Sequence, residues 1–463
     1  MRNRALYPRL AAHALRMNAR FYLPYLISCS VIVALHYDMQ FLGMNQGMER
    51  LPGSSSVLGL LAVVIHAYEV FSIFVFFYTN SVMMKRRQKE LGLYSILGMD
   101  KRHVRRLLRW EAVYAACVIV GGGILLGIAL SRGFLALFGT IMQTDVPLGF
   151  EVPPKAIIFT SFVYVFILTI NLVANLARVS LSRPVELLHG TDTGDREPKT
   201  RWLTAILGCL TLAGGYLISF MAESLQDLSL FLTAVLLVVV ATYCLFSAGS
   251  IWLLKRLRAN KAYYYQAYHF FMVSGMLHRM RRNAAGLATI CVFSSMTLVM
   301  TSTTLCMYLG AASAALQAGD PELRLVMCGY FFAGLFLSAL FLMASTLVLY
   351  YKQISEGYED ARSFTIMQQV GMSADEVWDA IRGQASLAFL PPLVLAAVHT
   401  VAALPITSII LATLGISDLG FVFACCVATL VVYAVIYFII YRLTSYGYYR
   451  IVLRHTNAAD ELT

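Results

Sequence analysis

KRRQKELGLYSILGMDKRHVRRLL, Lys85 to Leu108, lies between two long apolar stretches, and with Arg109 it places nine Lys or Arg in twenty-five residues. A fainter copy, ARSFTIMQQVGMSADEVWDAIR, Ala361 to Arg382, follows at an offset of 273. Charged islands repeated inside an otherwise apolar chain are what a polytopic membrane protein leaves outside the bilayer. The chain has 463 residues, 59% of them hydrophobic and 13% charged, against about a quarter charged in soluble domains.

Ten apolar runs surround the two islands: Phe21 to Gly43, Val57 to Val82, Ala112 to Leu130, Ala156 to Ala177, Leu203 to Met221, Leu228 to Leu253, Leu287 to Leu309, Val326 to Tyr350, Ala385 to Leu411 and Gly420 to Tyr441. Each is near the roughly 20 residues that a helix needs to cross a hydrocarbon core. Barrel strands would alternate over about ten residues, and these runs are continuous. The expected fold class is all-α, with ten transmembrane helices. The first run follows Arg2, Arg4, Arg9, Arg16 and Arg20, as a secretory signal would. It is too long for one and no small-residue cleavage pattern follows, so it is expected to be retained.

With the N-terminus in the cytoplasm, 32 of the 36 Lys and Arg fall in inside segments. Only Arg50, Arg132, Lys155 and Arg324 fall outside. That partition obeys the positive-inside rule and assigns the net charge of +11 to topology and anionic lipid, not to nucleic acid. The nine Cys lie in or beside the runs, with no C-x-x-C pair and no Cys/His cluster at zinc spacing, so free thiols and no metal are expected.

The islands align through Gly98-Met99 and Gly371-Met372, with Val104 over Val377, Arg109 over Arg382, and Leu91, Leu93, Leu97 and Leu108 over Phe364, Ile366, Val370 and Ile381. A second match, Arg16-Met17-Asn18-Ala19 with Arg281-Arg282-Asn283-Ala284, lies at an offset of 265. Spans one to four thus correspond to spans seven to ten, giving a first unit at 1–190, a linker with spans five and six at 191–260, and a second unit at 261–463. An even number of crossings separates the islands, which makes the repeat parallel, unlike the inverted repeats of many secondary transporters. Two equivalent protrusions can engage one two-fold symmetric partner.

Each island reads as helix, break, helix. Leu93, Ile96 and Leu97 form an apolar stripe against Arg86, Arg87, Lys89 and Glu90. Gly98 can take the left-handed turn that ends a helix, and Asp100 can cap the next one. The second copy has Gly371 at the same place and Ser373-x-x-Glu376, a capping box. Short amphipathic helices at the membrane surface are expected. Topology alone would make the first loop basic, but in the second copy Glu356, Glu359, Asp360, Asp375, Glu376 and Asp379 outnumber Lys352, Arg362 and Arg382. The same pattern with inverted charge points to docking.

Within the spans, His66 and Glu69 stand one helical turn apart, an intramembrane polar pair with structural and functional readings both open. Asn171 and Asn175 suit inter-helix bonding, and Arg132 and Lys155 suit snorkelling to headgroups. Gly121, Gly122, Gly123 and Gly127 include a small-x-x-x-small spacing for close helix approach. Pro391 and Pro392 should bend span nine. No H-E-x-x-H or Ser/His arrangement supports an intramembrane enzyme.

Five segments together resemble the FtsX-like permease superfamily of ABC transporters, in its bacitracin-export (Bce-type) branch: NARFYLPYLIS at 18–28, FYTNSVMMKRRQKELGLYSILGM at 77–99, RPVELLHG at 183–190 with REPKTRW at 196–202, SGMLHRMRRNAAGLATIC at 274–291, and LYYKQISEGYEDARSFTIMQQVGMS at 349–373. The resemblance implies ten spans holding two FtsX-like units in a bacterial cytoplasmic membrane, both termini cytoplasmic. It also implies two copies of a cytoplasmic ABC ATPase, which carry ATP and Mg; this chain has no G-x-x-x-x-G-K-[ST] loop, and no cofactor of its own is expected. The ATPase-coupling helices would be carried by Arg86, Arg87, Glu90, Leu91, Leu93, Tyr94 and Leu97 with Gly98 and Met99, and by Arg362, Phe364, Ile366, Met367 and Val370 with Gly371 and Met372. The implied function is an ATP-driven permease that releases or removes cell-wall-active antimicrobial peptides, or undecaprenyl-pyrophosphate lipid complexes, at the outer leaflet. The alternatives are a sensory or lipid-handling complex signalling through a membrane histidine kinase, or a secondary transporter. One departure stands out: the branch usually carries a large extracellular domain between spans seven and eight, where this chain has only Gly310 to Leu325.

Overall fold

The computed structural model describes residues 6–50, 54–142, 151–181, 202–221, 228–319 and 321–460. Among these residues there is no strand, and ten helices are long and apolar enough to span a membrane. The chain is an all-α polytopic membrane protein. In order, the helices are α1 (Leu6–Met17), α2 (Ala19–Gly43), α3 (Ser54–Ile96), α4 (Lys101–Ala116), α5 (Gly122–Met142), α6 (Pro154–Leu181), α7 (Trp202–Met221), α8 (Leu228–Cys244), α9 (Ser250–Ala259), α10 (Lys261–Tyr264), α11 (Ala267–Ala318), α12 (Pro321–Gln369), α13 (Ala374–Thr413) and α14 (Leu419–Asp460).

The third and sixth spans are each two helices joined through one turn of π-helix, at Cys117–Gly121 and Leu245–Gly249. Several helices far exceed the roughly 20 residues a bilayer requires: α3 has 43, α11 has 52 and α12 has 49. The short surface helices expected before Gly98 and Gly371 are therefore not separate elements; they are the last turns of α3 and α12. Between Val82 and Gly92 the residues are good helix formers without Gly or Pro, so nothing in that segment stops the helix.

By its contacts the chain divides into two compact units, one of residues 1–193 with 311–340 and one of residues 194–310 with 341–463. In the first unit α2 and α5 pack almost backbone to backbone. A Cβ on Gly123 would stand 2.6 Å from Val33 Cβ, and one on Gly127 would stand 2.7 Å from the Tyr37 ring. Of the four glycines noted in this span, Gly123 and Gly127 are the pair that makes the close approach, whereas a Cβ on Gly121 would meet nothing.

In the second unit α7 packs on α8 through Gly208 and Gly215, where a Cβ would come within 2.9 Å of Cys244 and 2.8 Å of Val238. Buried His399 of α13 ties this hairpin down, its ring bonding the Tyr216 hydroxyl at 2.6 Å and the Thr242 hydroxyl at 3.0 Å. The Ser219 hydroxyl donates to the Ala402 carbonyl at 2.8 Å. Helix α13 continues through Pro391, Pro392 and Pro405.

Candidate functional site

Both long helices end in the same way. At the end of α3, Gly98 has φ 92°; its N–H bonds the Ser95 carbonyl at 3.3 Å and the Met99 N–H bonds the Tyr94 carbonyl at 2.9 Å. At the end of α12, Gly371 has φ 114°, with Gly371 N–H on Gln368 at 2.9 Å and Met372 N–H on Met367 at 3.0 Å. These are two Schellman caps, which need glycine at the left-handed position and place an apolar residue just beyond it against the helix's last turn. The repeated Gly-Met dipeptide is thereby explained. The helices that follow begin differently. Ser373 makes the full capping box with Glu376, while Asp100 occupies the N-cap with extended backbone but its side chain makes no cap bond.

Beneath each cap lies a small apolar core. The first gathers Met84, Leu91, Val104, Leu108 and Val179, flanked by Tyr94, Met99 and Leu176. The second gathers Phe364, Val377, Ala380, Ile381, Tyr448 and Val452, flanked by Met367, Met372 and Tyr449. Seven pairs match at the 273 offset: Leu91/Phe364, Tyr94/Met367, Met99/Met372, Val104/Val377, Leu108/Ile381, Leu176/Tyr449 and Val179/Val452. The last two carry the repeat into the final helix of each half, beyond the two islands themselves. Size is exchanged between neighbours as well. Met84 faces the first core where Gly357 stands in the second half, and a Cβ on Gly357 would lie 2.8 Å from the Tyr448 ring.

The residues expected on the coupling helices fall into two groups. Leu91 and Phe364 are core residues, 1% and 2% exposed, and present nothing to a partner. Leu93, Ile96 and Leu97 on the first tip and Ile366 and Val370 on the second are exposed, Val370 at 85%. Leu93/Ile366 and Leu97/Val370 are equivalent by the same offset. The side chains of Arg86 and Arg362 lie outside the described set.

Arg87 belongs to a buried polar cage. Arg87 and Glu111 are each 4% exposed and form a two-bonded ion pair, one arm measuring 2.9 Å. Arg87 also donates to the Tyr22 hydroxyl at 2.5 Å and to Glu90 at 3.2 Å. Glu90 accepts from Tyr94 at 2.9 Å and from the Asn18 amide at 3.1 Å. The cage therefore joins the start of α2, the tip of α3 and the middle of α4. Burial opposes the charge on Arg87, but Tyr22, Glu111 and Glu90 outweigh it and hold the guanidinium above its ordinary pKa. Burial, aided by Glu90, pushes the Tyr94 phenol up to about 12, which keeps it a donor.

The second half has other chemistry at the same positions. Asp360 stands where Arg87 does and Gln384 where Glu111 does. The Tyr448 hydroxyl donates to Asp360 and lies 3.4 Å from Gln384 Oε1. Close by, the Asn283 amide donates to Glu356, which pairs with Lys352 at 2.9 Å. One half is thus closed by a buried ion pair, the other by a tyrosine bridging an acid and an amide.

The pairing expected of His66 and Glu69 does not form. The His66 ring bonds its own helix at the Ala62 carbonyl, 2.7 Å away, and Glu69 pairs instead with His36 of α2 at 3.1 Å. His36 is fully buried and also bonds Thr160 of α6 at 3.2 Å. Two residues three apart on one helix share a face, but a buried histidine on the next helix offered Glu69 better geometry. Asn175 does bridge helices, exchanging amide bonds with Asn80 at 3.0 and 3.1 Å.

A polytopic helical protein with two equivalently capped tips is the class these features define. Residues 57–181, which hold all but the first three residues of α3, the first tip and α4 to α6, match the family model described as FtsX-like permease C-terminal. The chain is similar to ABC transporter permeases of Bacillus subtilis: it is 25% identical over 291 residues to the uncharacterized ABC transporter permease YvcS, covering 61% of this chain and 44% of that one. It is 25% identical over 306 residues to the permease protein YxdM, covering 66% and 48%. With the bacitracin export permease protein BceB of Halalkalibacterium halodurans it shares 25% identity over 320 residues, covering 65% and 48%. The chain spans about half the length of the curated relatives it matches.

Proposed function

We propose that this chain is the membrane permease subunit of an ABC-type complex and that its two tips receive two copies of a separate cytoplasmic ATPase. The observation that carries the reading is the pair of equivalent Schellman-capped tips, each showing solvent two large apolar side chains over a firm core, Leu93 and Leu97 on one and Ile366 and Val370 on the other. An apolar side chain held outside the bilayer on a rigid helix end invites burial against another protein. The relatives' names as ABC transporter permeases supply the partner class, and the positive-inside charge partition supports placing the tips in the cytoplasm.

In this reading ATP-driven closure of the ATPase pair displaces the tips. The long continuous helices α3 and α12 carry that movement into the bilayer. We propose as ligand an antimicrobial peptide or an undecaprenyl-pyrophosphate lipid complex at the outer leaflet; the similarity to bacitracin export permeases supports the peptide class. The test is reconstitution of the chain with a cytoplasmic ABC ATPase from the same cells, followed by ATP turnover in the presence of bacitracin, lantibiotics and lipid pyrophosphates. Stimulation by one of these supports the reading. Stable assembly with turnover indifferent to the whole panel removes the ligand assignment, and failure of the ATPase to assemble removes the reading itself.

A further inference from the structure

We infer that the first half of this chain carries a binding surface for anionic phospholipid headgroups, formed by α1 and α4 together, and that the face of α13 equivalent to α4 lacks one. Helix α1 packs on α4, with Tyr7 stacked on His103 at 6.1 Å and Arg106 lying 5.9 Å over the Tyr7 ring. Ala11 and Ala14 are its buried side. Its exposed residues recur at helical spacing: Leu6, Arg9, His13, Arg16 and Met17. Helix α4 shows a matching exposed stripe of Arg102, Arg106, Arg109 and Trp110. No carboxylate among the described residues pairs with Arg9, Arg16, Arg102, Arg106 or Arg109.

Uncompensated guanidiniums alone would suit any anion. What selects a lipid is what stands among them: Leu6 is 54% exposed, Met17 73% and Trp110 40%, and α4 is itself the first part of the third candidate membrane span. Arginines interleaved with exposed apolar and indole side chains beside a span are the chemistry of the headgroup layer, where phosphates meet the charges and acyl chains meet the rest. The matching face of α13 provides an internal comparison: exposed Asp375 and Asp379 stand at the positions of Arg102 and Arg106, and exposed Arg382 alone keeps the charge of its counterpart, Arg109. Two carboxylates against one guanidinium disfavour the same headgroups. The leaflet concerned follows from the orientation proposed above; the lipid chemistry does not depend on it.

The experiment is native mass spectrometry of the full-length protein released from detergent with added phosphatidylglycerol or phosphatidylcholine. Phosphatidylglycerol should be retained in preference, and the triple variant R102Q/R106Q/R109Q should lose that retention by about a hundredfold, given about 1 kcal/mol for each basic residue near an anionic surface. The triple lysine variant should keep it and D375N/D379N should not change it. If the glutamine triple does not fold, the exposed single variants R102Q and R109Q should each show a partial loss. Equal retention of the two lipids, undiminished retention in the glutamine variants, or protection of the stripe by an acidic ATPase surface in the assembled complex would overturn the inference.

Discussion

Arg87 shows how much one side chain holds together. Its guanidinium is buried and meets Glu111, Glu90 and Tyr22, joining three helices at the base of the first tip. Removing one member of a buried pair strands the other charge, at a cost of about 3–5 kcal/mol, whereas replacing both with apolar groups is often neutral. Arg87→Met should therefore lower the thermal midpoint of the purified protein sharply, and Arg87→Met with Glu111→Leu should recover most of the loss. Equal losses in the single and double variants would mean that the pair is not the joint described. Such a joint was hidden in the sequence. Arg87 appears there as one of nine basic residues in a loop, and Glu111 lies 24 positions away at the foot of an apolar run. The partner of Glu69 was hidden for the same reason, since His36 is 33 residues distant.

At the scale of elements, the clearest written signals are the glycines whose conformation or clearance leaves no alternative. Gly98 and Gly371 sit at positive φ, where an L side chain costs about 1–2 kcal/mol. Gly98→Ala and Gly371→Ala should each speed hydrogen exchange in the last turn of α3 or α12 and leave the spans protected. Gly123 is limited by space, and Gly123→Val, with its Cβ 2.6 Å from Val33, should force α2 and α5 apart and lower the yield of folded protein. The conservative change Gly121→Ala, at an exposed position with nothing within 4 Å, should be tolerated. The spans, the repeat and the capping box at Ser373 were legible because each rests on local composition or spacing. The continuity of α3 past the bilayer was not, because a charged, helix-favouring stretch reads equally well as a separate surface helix. The equivalence of Val179 with Val452 was not either, because one valine in an apolar helix resembles every other.

The whole molecule repeats a mechanical plan while varying its charge. Seven core pairs preserve one tip architecture at a constant offset. The joint beneath it changes from arginine with glutamate to aspartate with glutamine, and on the exposed face of the following helix two of three arginines are replaced by aspartates. A requirement for two basic loops would not preserve the caps and discard the charge. A requirement for two rigid ends that touch the same kind of partner would. The two halves can then differ in what surrounds the contact, with lipid phosphate proposed beside the first tip and not the second.

The most direct measurement is co-purification of the proposed ATPase partner with four forms of the full-length chain: wild type, Leu93→Asp/Leu97→Asp, Ile366→Asp/Val370→Asp, and all four changes together. These side chains are exposed, so the cores beneath them should be spared, which unchanged thermal midpoints would verify. Each pair of changes should weaken recovery of the ATPase and the combination should abolish it. Full recovery of the ATPase by the fourfold variant, folded and inserted in the membrane, would contradict the account.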